Sequence, residues 1–376
     1  MNKAVFFLIF TILYFNLYTQ NIEQEYQSLV KSNDYAKALT KVEEGIKQNP
    51  NNAALYLMQV ECSLYLYSSN RDTSEQLLTK AFQSLSKYHQ LNTNSESFKT
   101  LSAQLSIPIY RKAAIYMNLE QYGAAKSWFY KTIQLKSWAN EKDPDLIFYT
   151  GLSAYNSEDF SLMEKCFTQL VIEQYTNASI YEILASYYYQ NNSLNKAKDI
   201  VITALKAGIF ISPETEIIAL YVIEKYRNCN EFNTLNKQFS WSTSESIEIE
   251  KVVGRIFYLC GDTTSCIEQY KRIYYKYPTD TTVLIQLGLV YYNRGIKYLQ
   301  EAKNIIAKSD KNIEPYRKLK DLYIADMKSA IFYLEKALQL NVTFSTAINC
   351  LYQSYKQLQR KEEMSKLQQK YPNLLD

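Results

Sequence analysis

The side chain with the widest range of chemistry in this sequence is its single histidine, His89. A Cys–His nucleophile pair would have to use this residue, because no second imidazole exists to act as a general base. Metal sites built from several histidines are excluded by the same count, and no CxxC pair or glycine-rich phosphate loop occurs. The sequence therefore predicts a protein that is not an enzyme and needs no metal or cofactor, with His89 as an exposed residue.

Six cysteines are spread along the chain, too sparsely to build a fold of this size from disulfides. They are Cys62, Cys166, Cys229, Cys260, Cys266 and Cys350. Only Cys260 and Cys266 are close in sequence, on either side of a turn at 261–264, so a bridge between them is one interpretation in an oxidising compartment. The other is that all six are small, buried apolar residues.

The first twenty residues differ from the rest of the chain. Lys3 is the only charged side chain before Glu23, and a largely apolar run extends from Ala4 to Leu17. A basic start and an apolar run of about 14 residues are typical of a secretory signal peptide, whereas a membrane-spanning helix needs about 20. We expect a signal peptide over 1–20 and an exported protein, periplasmic or secreted, without a stable membrane span. An uncleaved anchor is the alternative.

Composition and spacing together predict helices that pack in pairs. The chain has 8 glycines and 7 prolines, few for a fold with many tight turns. Small residues recur 34 positions apart, at Gly151 and Ala185 and again at Gly254 and Gly288. Around them, large apolar residues recur every three or four positions, which is the periodicity of one helix face. The small residue lets a second helix approach closely, so each period predicts two packed helices.

On these residues the chain resembles the tetratricopeptide-repeat family, whose unit is a helix-turn-helix of about 34 residues. The resemblance implies an all-α fold, a right-handed tetratricopeptide-type α-solenoid over residues 21–342. Residues 51–90 are helical in pattern but fit the unit poorly, and 223–239 form a degenerate unit.

The last full repeat departs from this pattern. The repeat pattern expects the residue that opens the second helix two positions after Gly295, but the residue that fits is Met327, 32 positions after it. The difference, 32 minus 2, is an insertion of 30 residues. Both helices of the repeat are predicted to lengthen into a hairpin extension over 296–326, with Pro315 in a helical first turn. Residues 343–376 predict a polar capping helix pair, which a solenoid needs at its end. The extended unit is similar to one seen in exported envelope tetratricopeptide-repeat proteins of Bacteroidetes.

Tyrosine is unusually common, at 35 residues. Several are assigned to packing positions between helices, namely Tyr110, Tyr122, Tyr181, Tyr188, Tyr226 and Tyr291. In tetratricopeptide-repeat proteins the second, fifth, ninth, twelfth and thirteenth positions of the first helix line a concave groove. The twelfth position is tyrosine in four units, at Tyr155, Tyr189, Tyr258 and Tyr292. Arg227 is assigned to it in the degenerate unit, and Lys251 and Arg255 fall at the fifth and ninth positions of one unit. Chance, or packing against the next first helix, is the alternative to a binding row.

These features predict a non-catalytic protein–protein interaction scaffold of the bacterial periplasm or envelope, with a protein or peptide partner in the groove. Tyrosine offers apolar area together with a hydroxyl, which also suits sugars. A carbohydrate or peptidoglycan-fragment binding module is therefore the alternative function. The net charge of +4 is too small to favour nucleic acid as a partner, since phosphate backbones select dense basic patches.

Overall fold

The computed structural model describes residues 22–69, 74–91, 95–307, 313–340 and 344–374, and every long regular element in these ranges is an α-helix. The chain divides into two compact units, the first ending at Tyr175 and the second beginning at Thr176. The predicted signal peptide lies outside the described residues. Among the described helices none is long and apolar enough to cross a membrane.

Unit 1 contains eight described helices. They are α1 (22–31), α2 (Tyr35–Gln48), α3 (Ala53–Ser69), α4 (Ser74–Leu91), α5 (Glu96–Asn118), α6 (Tyr122–Trp138), α7 (Pro144–Asn156) and α8 (Phe160–Ile172). Residues 51–90, which fit the repeat pattern poorly, form the packed pair α3 and α4.

Unit 2 contains ten described helices. They are α9 (Ala178–Gln190), α10 (Leu194–Lys206), α11 (Pro213–Tyr226), α12 (Cys229–Phe239), α13 (Ile247–Leu259), α14 (Thr263–Lys276), α15 (Thr281–Ala307), α16 (Glu314–Gln339), α17 (Ser345–Gln357) and α18 (Lys361–Lys370). From α3 onward each odd-numbered helix packs against the helix that follows it. We call the odd-numbered member of each pair the first helix and the even-numbered member the second.

The small residues that define the repeat lie where the two helices of a pair approach most closely. A Cβ atom added to Gly151 would lie 2.4 Å from Phe167 Cε1, and one added to Gly288 would lie 2.4 Å from Leu334 Cγ. Such distances leave no room for a methyl group. The prediction that these glycines let the first and second helix of a pair approach closely is therefore confirmed.

In the pairs whose turn lies within the described residues, the turn follows one pattern, in which a residue between the two helices has a positive φ. Glu158 (φ 60), Asn192 (φ 57) and Gly261 (φ 81) hold this place between successive helices. The next N–H bonds back into the ended helix, as Asp159 N–H does to the Ala154 carbonyl at 2.8 Å. A left-handed residue thus lets the N–H groups that follow the helix bond to its last carbonyl groups, and the chain reverses within three residues.

The predicted hairpin extension is present as lengthened helices. α15 has 27 residues and α16 has 26, against 13 to 14 in α13 and α14, and the two pack against each other. Pro315 lies in the first turn of α16, as predicted. The tip near Asn312 lies outside the described residues. Beyond the hairpin, α17 and α18 form the last helix pair.

The disulfide suggested between Cys260 and Cys266 is wrong, because Cys260 is bonded to Cys229. Cys229 is the first residue of α12, and Cys260 caps the C-terminus of α13. Neighbours across stacked repeats are about one period apart in sequence, and these two cysteines are 31 residues apart. Cys266 is fully buried inside the pair α13–α14 and remains a free thiol.

Of the six tyrosines assigned to packing positions, three are buried, Tyr122 is half-buried, and Tyr110 packs its ring on Phe129 of α6 with centroids 5.8 Å apart, so the assignment is wrong only for Tyr226. Tyr181, Tyr188 and Tyr291 are buried, whereas Tyr110 is 37% and Tyr226 is 56% exposed. Tyr226 is the last residue of α11, where the chain already turns away from the second helix. His89 is not an exposed residue either, since it is half-buried and its ring stacks on Phe98 with centroids 5.4 Å apart.

Candidate binding site on the first helices

The tyrosines at the predicted groove position are partly exposed on first helices. In unit 1, Tyr155 on α7 is 39% exposed. In unit 2, Tyr189 on α9 is 39% and Tyr258 on α13 is 37% exposed, while Tyr292 on α15 is half-buried. Tyr188, one residue before Tyr189, is only 6% exposed. Adjacent tyrosines therefore have opposite environments, one between the helices and one at the surface.

In the degenerate repeat, the residue at the predicted groove position is not the one that the sequence pattern assigned, Arg227. Arg227 has φ 51 and holds the left-handed place in its turn, equivalent to Asn192 and Gly261. The predicted groove position lies three residues before the left-handed residue, at Tyr189 in α9 and at Tyr258 in α13. In α11 the same count gives Glu224. The assignment of Arg227 is wrong by three residues, because a left-handed arginine has no signature in sequence.

Glu224 forms an ion pair with the next first helix. Its two carboxylate oxygens accept hydrogen bonds from Arg255 Nε at 2.8 Å and from Arg255 Nη2 at 3.2 Å. This hydrogen bonding raises the pKa of Arg255 against the opposing effect of burial. The guanidinium carbon also lies 6.0 Å from the centre of the half-exposed Tyr221 ring. Arg255 thus links α13 to α11 and already has its charge balanced.

Lys251 is similarly engaged within unit 2. Its ammonium lies 2.8 Å from Asp280, just before α15, and 3.0 Å from Glu248 on its own helix. Burial disfavours the charged ammonium, but the hydrogen bonds to Asp280 and Glu248 outweigh it and raise the pKa of Lys251. Only 12% of the Lys251 side chain is exposed. That Lys251 and Arg255 contact a partner stays a prediction. Both side chains already have acidic neighbours.

A neutral cleft adjoins Tyr292 in unit 2. Its volume is about 360 Å³, and it lies between α15 and α17. The lining residues carry hydroxyl, carboxamide or thiol groups, and they are Tyr292, Ser345, Thr346, Asn349, Cys350 and Gln353. Next to it, Asn293 Nδ2 donates a hydrogen bond to the Tyr258 hydroxyl at 2.9 Å. The cleft can exchange neutral hydrogen bonds with a ligand, beside one aromatic ring.

Sequence reasoning missed Glu224, Tyr221 and the cleft on α17. Glu224 and Tyr221 become visible when positions are counted back from the turn, which requires knowing which residue is left-handed. Asn349 and Gln353 lie four residues apart and so share a face of α17, but they were assigned only to a polar cap.

Other chemistry is not assembled in the described part of the chain. No group of three or more His, Cys, Asp or Glu residues there is arranged to hold a metal ion. Burial raises the pKa of the Cys62 and Cys266 thiols to about 12, and that of Cys166 to about 11. These thiols are therefore protonated near neutral pH and poor nucleophiles.

Comparison with known proteins gives similarity of fold. No protein-family model matches the sequence, and no curated protein matches it. Similar solved structures include a TPR-repeat protein from Bacteroides fragilis (18% identity, 67% of this chain and 98% of that chain, TM-score 0.29). The pilus biogenesis factor PilW (12%, 69% and 93%, TM-score 0.25) and the TPR domain of P58(IPK) (13%, 91% and 98%, TM-score 0.30) are two more.

Proposed function

We propose that this chain, a tetratricopeptide-repeat protein by its 34-residue helix pairs, is an exported, non-catalytic scaffold that binds a protein or peptide partner on its first helices. The observation that carries the proposal is the repeated partial exposure of tyrosine at one position, in Tyr155, Tyr189 and Tyr258. A tyrosine on a rigid helix presents apolar area and a hydroxyl at low entropic cost, and such residues dominate binding energy at interfaces.

The charges near these tyrosines favour a partner segment of low charge. Lys251 and Arg255 have acidic neighbours at 2.8 Å, so a partner carboxylate would have to compete with Asp280 or Glu224. We propose that both cations orient the first helices and contact the partner through their side-chain stems. A charged peptide terminus is therefore not the expected ligand.

The bond between Cys229 and Cys260 supports the export part of the proposal. Disulfides persist in oxidising compartments and are rare in the bacterial cytoplasm. Mass spectrometry of the protein from its source is expected to find an N-terminus near Gln20. A cytoplasmic protein with an intact Met1 and reduced Cys229 would contradict export.

The binding proposal is tested by comparing exposed tyrosines on first helices with an exposed tyrosine on a second helix. Once a crosslinking pull-down has identified a partner, Tyr189→Ala and Tyr258→Ala are expected to weaken its binding by about 1–2 kcal/mol. Tyr275→Ala is the control, because Tyr275 is 76% exposed but lies on the second helix α14. Tyr188→Ala should instead destabilise the fold by about 3 kcal/mol through lost packing. Equal losses of binding for Tyr275 and Tyr189 would refute a site on the first helices.

The cleft beside Tyr292 is the one observation that favours the carbohydrate alternative. Carboxamides pair with sugar hydroxyls as well as with peptide amides, and the cleft contains Asn349 and Gln353. If the alternative holds, peptidoglycan fragments will raise the melting temperature of the protein, and Asn349→Ala with Gln353→Ala will abolish this rise. If the scaffold proposal holds, glycans will leave the melting temperature unchanged.

A further inference from the structure

The neutral cleft lies at predicted groove positions of the first helix α17. The left-handed residue in the turn after α17 is Gln359, with φ 57. Asn349 and Gln353, which line the cleft, lie ten and six residues before it. On α13 the same counts back from the left-handed residue give Lys251 and Arg255. The cleft therefore occupies the part of α17 that corresponds to the fifth and ninth positions of α13.

The side chains at these two positions of α17 are free to bind a ligand. Asn349 is exposed and Gln353 is half-buried, and neither carboxamide forms a hydrogen bond with another described residue. Further along the same helix the opposite holds, since Gln357 accepts a hydrogen bond from the Tyr323 hydroxyl at 3.0 Å. Each free carboxamide offers two N–H donors and one carbonyl acceptor.

The cleft also lacks charge, since none of the described residues that line it is acidic or basic. Burial raises the pKa of the Cys350 thiol, which lines the cleft, to about 11, so this group is uncharged near neutral pH. The one charged residue of α17 is Lys356, which is exposed, one turn beyond Gln353 and outside the lining. An ionised group bound between these residues would lose hydration without gaining a counter-charge. The cleft therefore favours uncharged hydrogen-bonding groups.

The spacing of the two carboxamides matches the repeat of an extended peptide main chain. Asn349 and Gln353 are four residues apart, which is about 6 Å along the helix at about 1.5 Å per residue. In an extended strand the N–H and C=O of every second residue point to the same edge, about 6.6 Å apart at about 3.3 Å per residue. One carboxamide can thus accept from the N–H and donate to the C=O of one peptide residue. The other can do the same two residues along the peptide.

We propose that this cleft binds the main chain of an extended, uncharged peptide segment through paired hydrogen bonds to Asn349 and Gln353. The half-buried Tyr292 ring, at the side of the cleft, packs against the side chains on one face of the bound strand. Because main-chain groups are common to all residues, the cleft selects extended conformation and neutrality rather than one sequence. The inference rests on the proposed function and names the part of the partner that α17 recognises.

A sugar would also form hydrogen bonds with the carboxamides, since each hydroxyl both donates and accepts. Such hydroxyls do not require a donor and an acceptor side by side, repeated at the spacing of an extended chain. The free carboxamides of Asn349 and Gln353 supply that arrangement. The cleft is therefore assigned to peptide, and a glycan becomes an outcome of the test.

Cys350 supplies the readout, because it is the one free cysteine of the four that is not fully buried. Its alkylation rate in the oxidised protein reports whether the cleft is occupied. The probe is an acetylated and amidated hexapeptide of alternating Thr and Val, residues that favour extended chains. This peptide is expected to slow alkylation in a saturable manner, and added salt should not weaken it because no ion pair forms. The same peptide N-methylated at every residue should give no protection, because it has no N–H to donate.

Variants that keep side-chain shape test the two carboxamides. Asn349→Asp and Gln353→Glu remove the N–H donors, and each should raise the peptide concentration for half-maximal protection by about 5-fold. The melting temperature should stay the same, since neither side chain bonds another described residue. The matched control is Gln368→Glu with Gln369→Glu, which adds two negative charges at exposed positions of α18 and should leave peptide binding unchanged.

The outcomes separate this inference from the proposed function. No protection by the neutral peptide, equal protection by its N-methylated form, or equal losses in the control variant would overturn the inference. Protection by peptidoglycan fragments in place of the peptide would overturn it in favour of sugar. If the identified partner binds Asn349→Asp with Gln353→Glu normally but loses affinity for Tyr189→Ala, the proposed function stands and the inference fails. Normal binding by all of these variants would contradict both.

Discussion

Two neighbouring repeats in unit 2 use the same kind of turn but have very different second helices. In the pair α13–α14, the second helix has 14 residues and buries Cys266, Ile267, Tyr270 and Ile273 among others. In the pair α11–α12, the second helix has 11 residues and buries only Phe232 and Leu235. Both nevertheless reverse the chain through a left-handed residue, Arg227 in one turn and Gly261 in the other.

Neighbouring segments supply what α12 lacks. Trp241 follows α12 in a short 3-10 turn, is 1% exposed, and donates its indole N–H to Glu216 on α11 at 3.2 Å. Burial raises the pKa of Glu216, and the bond from Trp241 partly offsets this. Phe232 packs edge-on against Phe257 of α13, with ring centroids 5.1 Å apart. A repeat with a small core of its own is thus stabilised by its neighbours, as expected for stacked units.

The largest expected effect removes the central side chain of the regular repeat. Tyr270 is 1% exposed and its ring contacts the position of Gly254 on α13, so Tyr270→Ala should lower the free energy of unfolding by about 3–5 kcal/mol. Tyr226→Ala, at the 56% exposed end of α11, should change it by less than about 0.5 kcal/mol. Urea unfolding measures both. Similar losses would mean that the degenerate repeat depends on its own tyrosine rather than on its neighbours.

The next effect concerns the covalent link between the two repeats. Changing both Cys229 and Cys260 to Ser removes a bond that closes a loop of about 31 residues, which should cost about 2–4 kcal/mol. Hydrogen exchange should accelerate most in α12, whose own core is small. The oxidised protein treated with reductant should match the serine variant. Uniform acceleration across unit 2, including α14, would show that the bond does not act locally.

The sequence predicted the part of this fold that depends on residue size. Gly151, Gly254 and Gly288 mark close helix contacts because only a missing side chain permits them. The bond from Cys229 to Cys260 was missed because these cysteines are about one repeat apart in sequence and are brought together only by the stacking of neighbouring repeats. In the candidate site, Tyr189 and Tyr258 were found by periodicity. The ion pairs of Lys251 with Asp280 and of Arg255 with Glu224 were missed because these two acidic partners lie outside α13.

The close contact itself can be probed with a single methyl group. A Cβ on Gly254 would lie 2.8 Å from Tyr270 Cζ, so Gly254→Ala should destabilise the protein by about 1–3 kcal/mol through overpacking. Gly123 is the control, because nothing lies within 4 Å of its added Cβ and alanine favours α6, in whose first turn Gly123 lies. Thermal unfolding of both variants compares them. A neutral Gly254→Ala would indicate that α14 can shift without loss of packing.

The smallest effect compares the two turns directly. Arg227 is exposed and has φ 51. This left-handed conformation costs an ordinary residue roughly 1–2 kcal/mol relative to glycine. Glycine offsets part of that difference, because it loses more chain entropy on folding. Arg227→Gly should therefore stabilise the protein by about 0.5–1 kcal/mol. Gly261, with φ 81, is the reciprocal case, and Gly261→Ala should destabilise it by about 1 kcal/mol, since nothing within 4 Å opposes the added Cβ and only the backbone is strained. Denaturant midpoints of the two variants should shift in opposite directions. A shift in the same direction would mean that Arg227 contributes contacts to the degenerate repeat that outweigh its backbone strain.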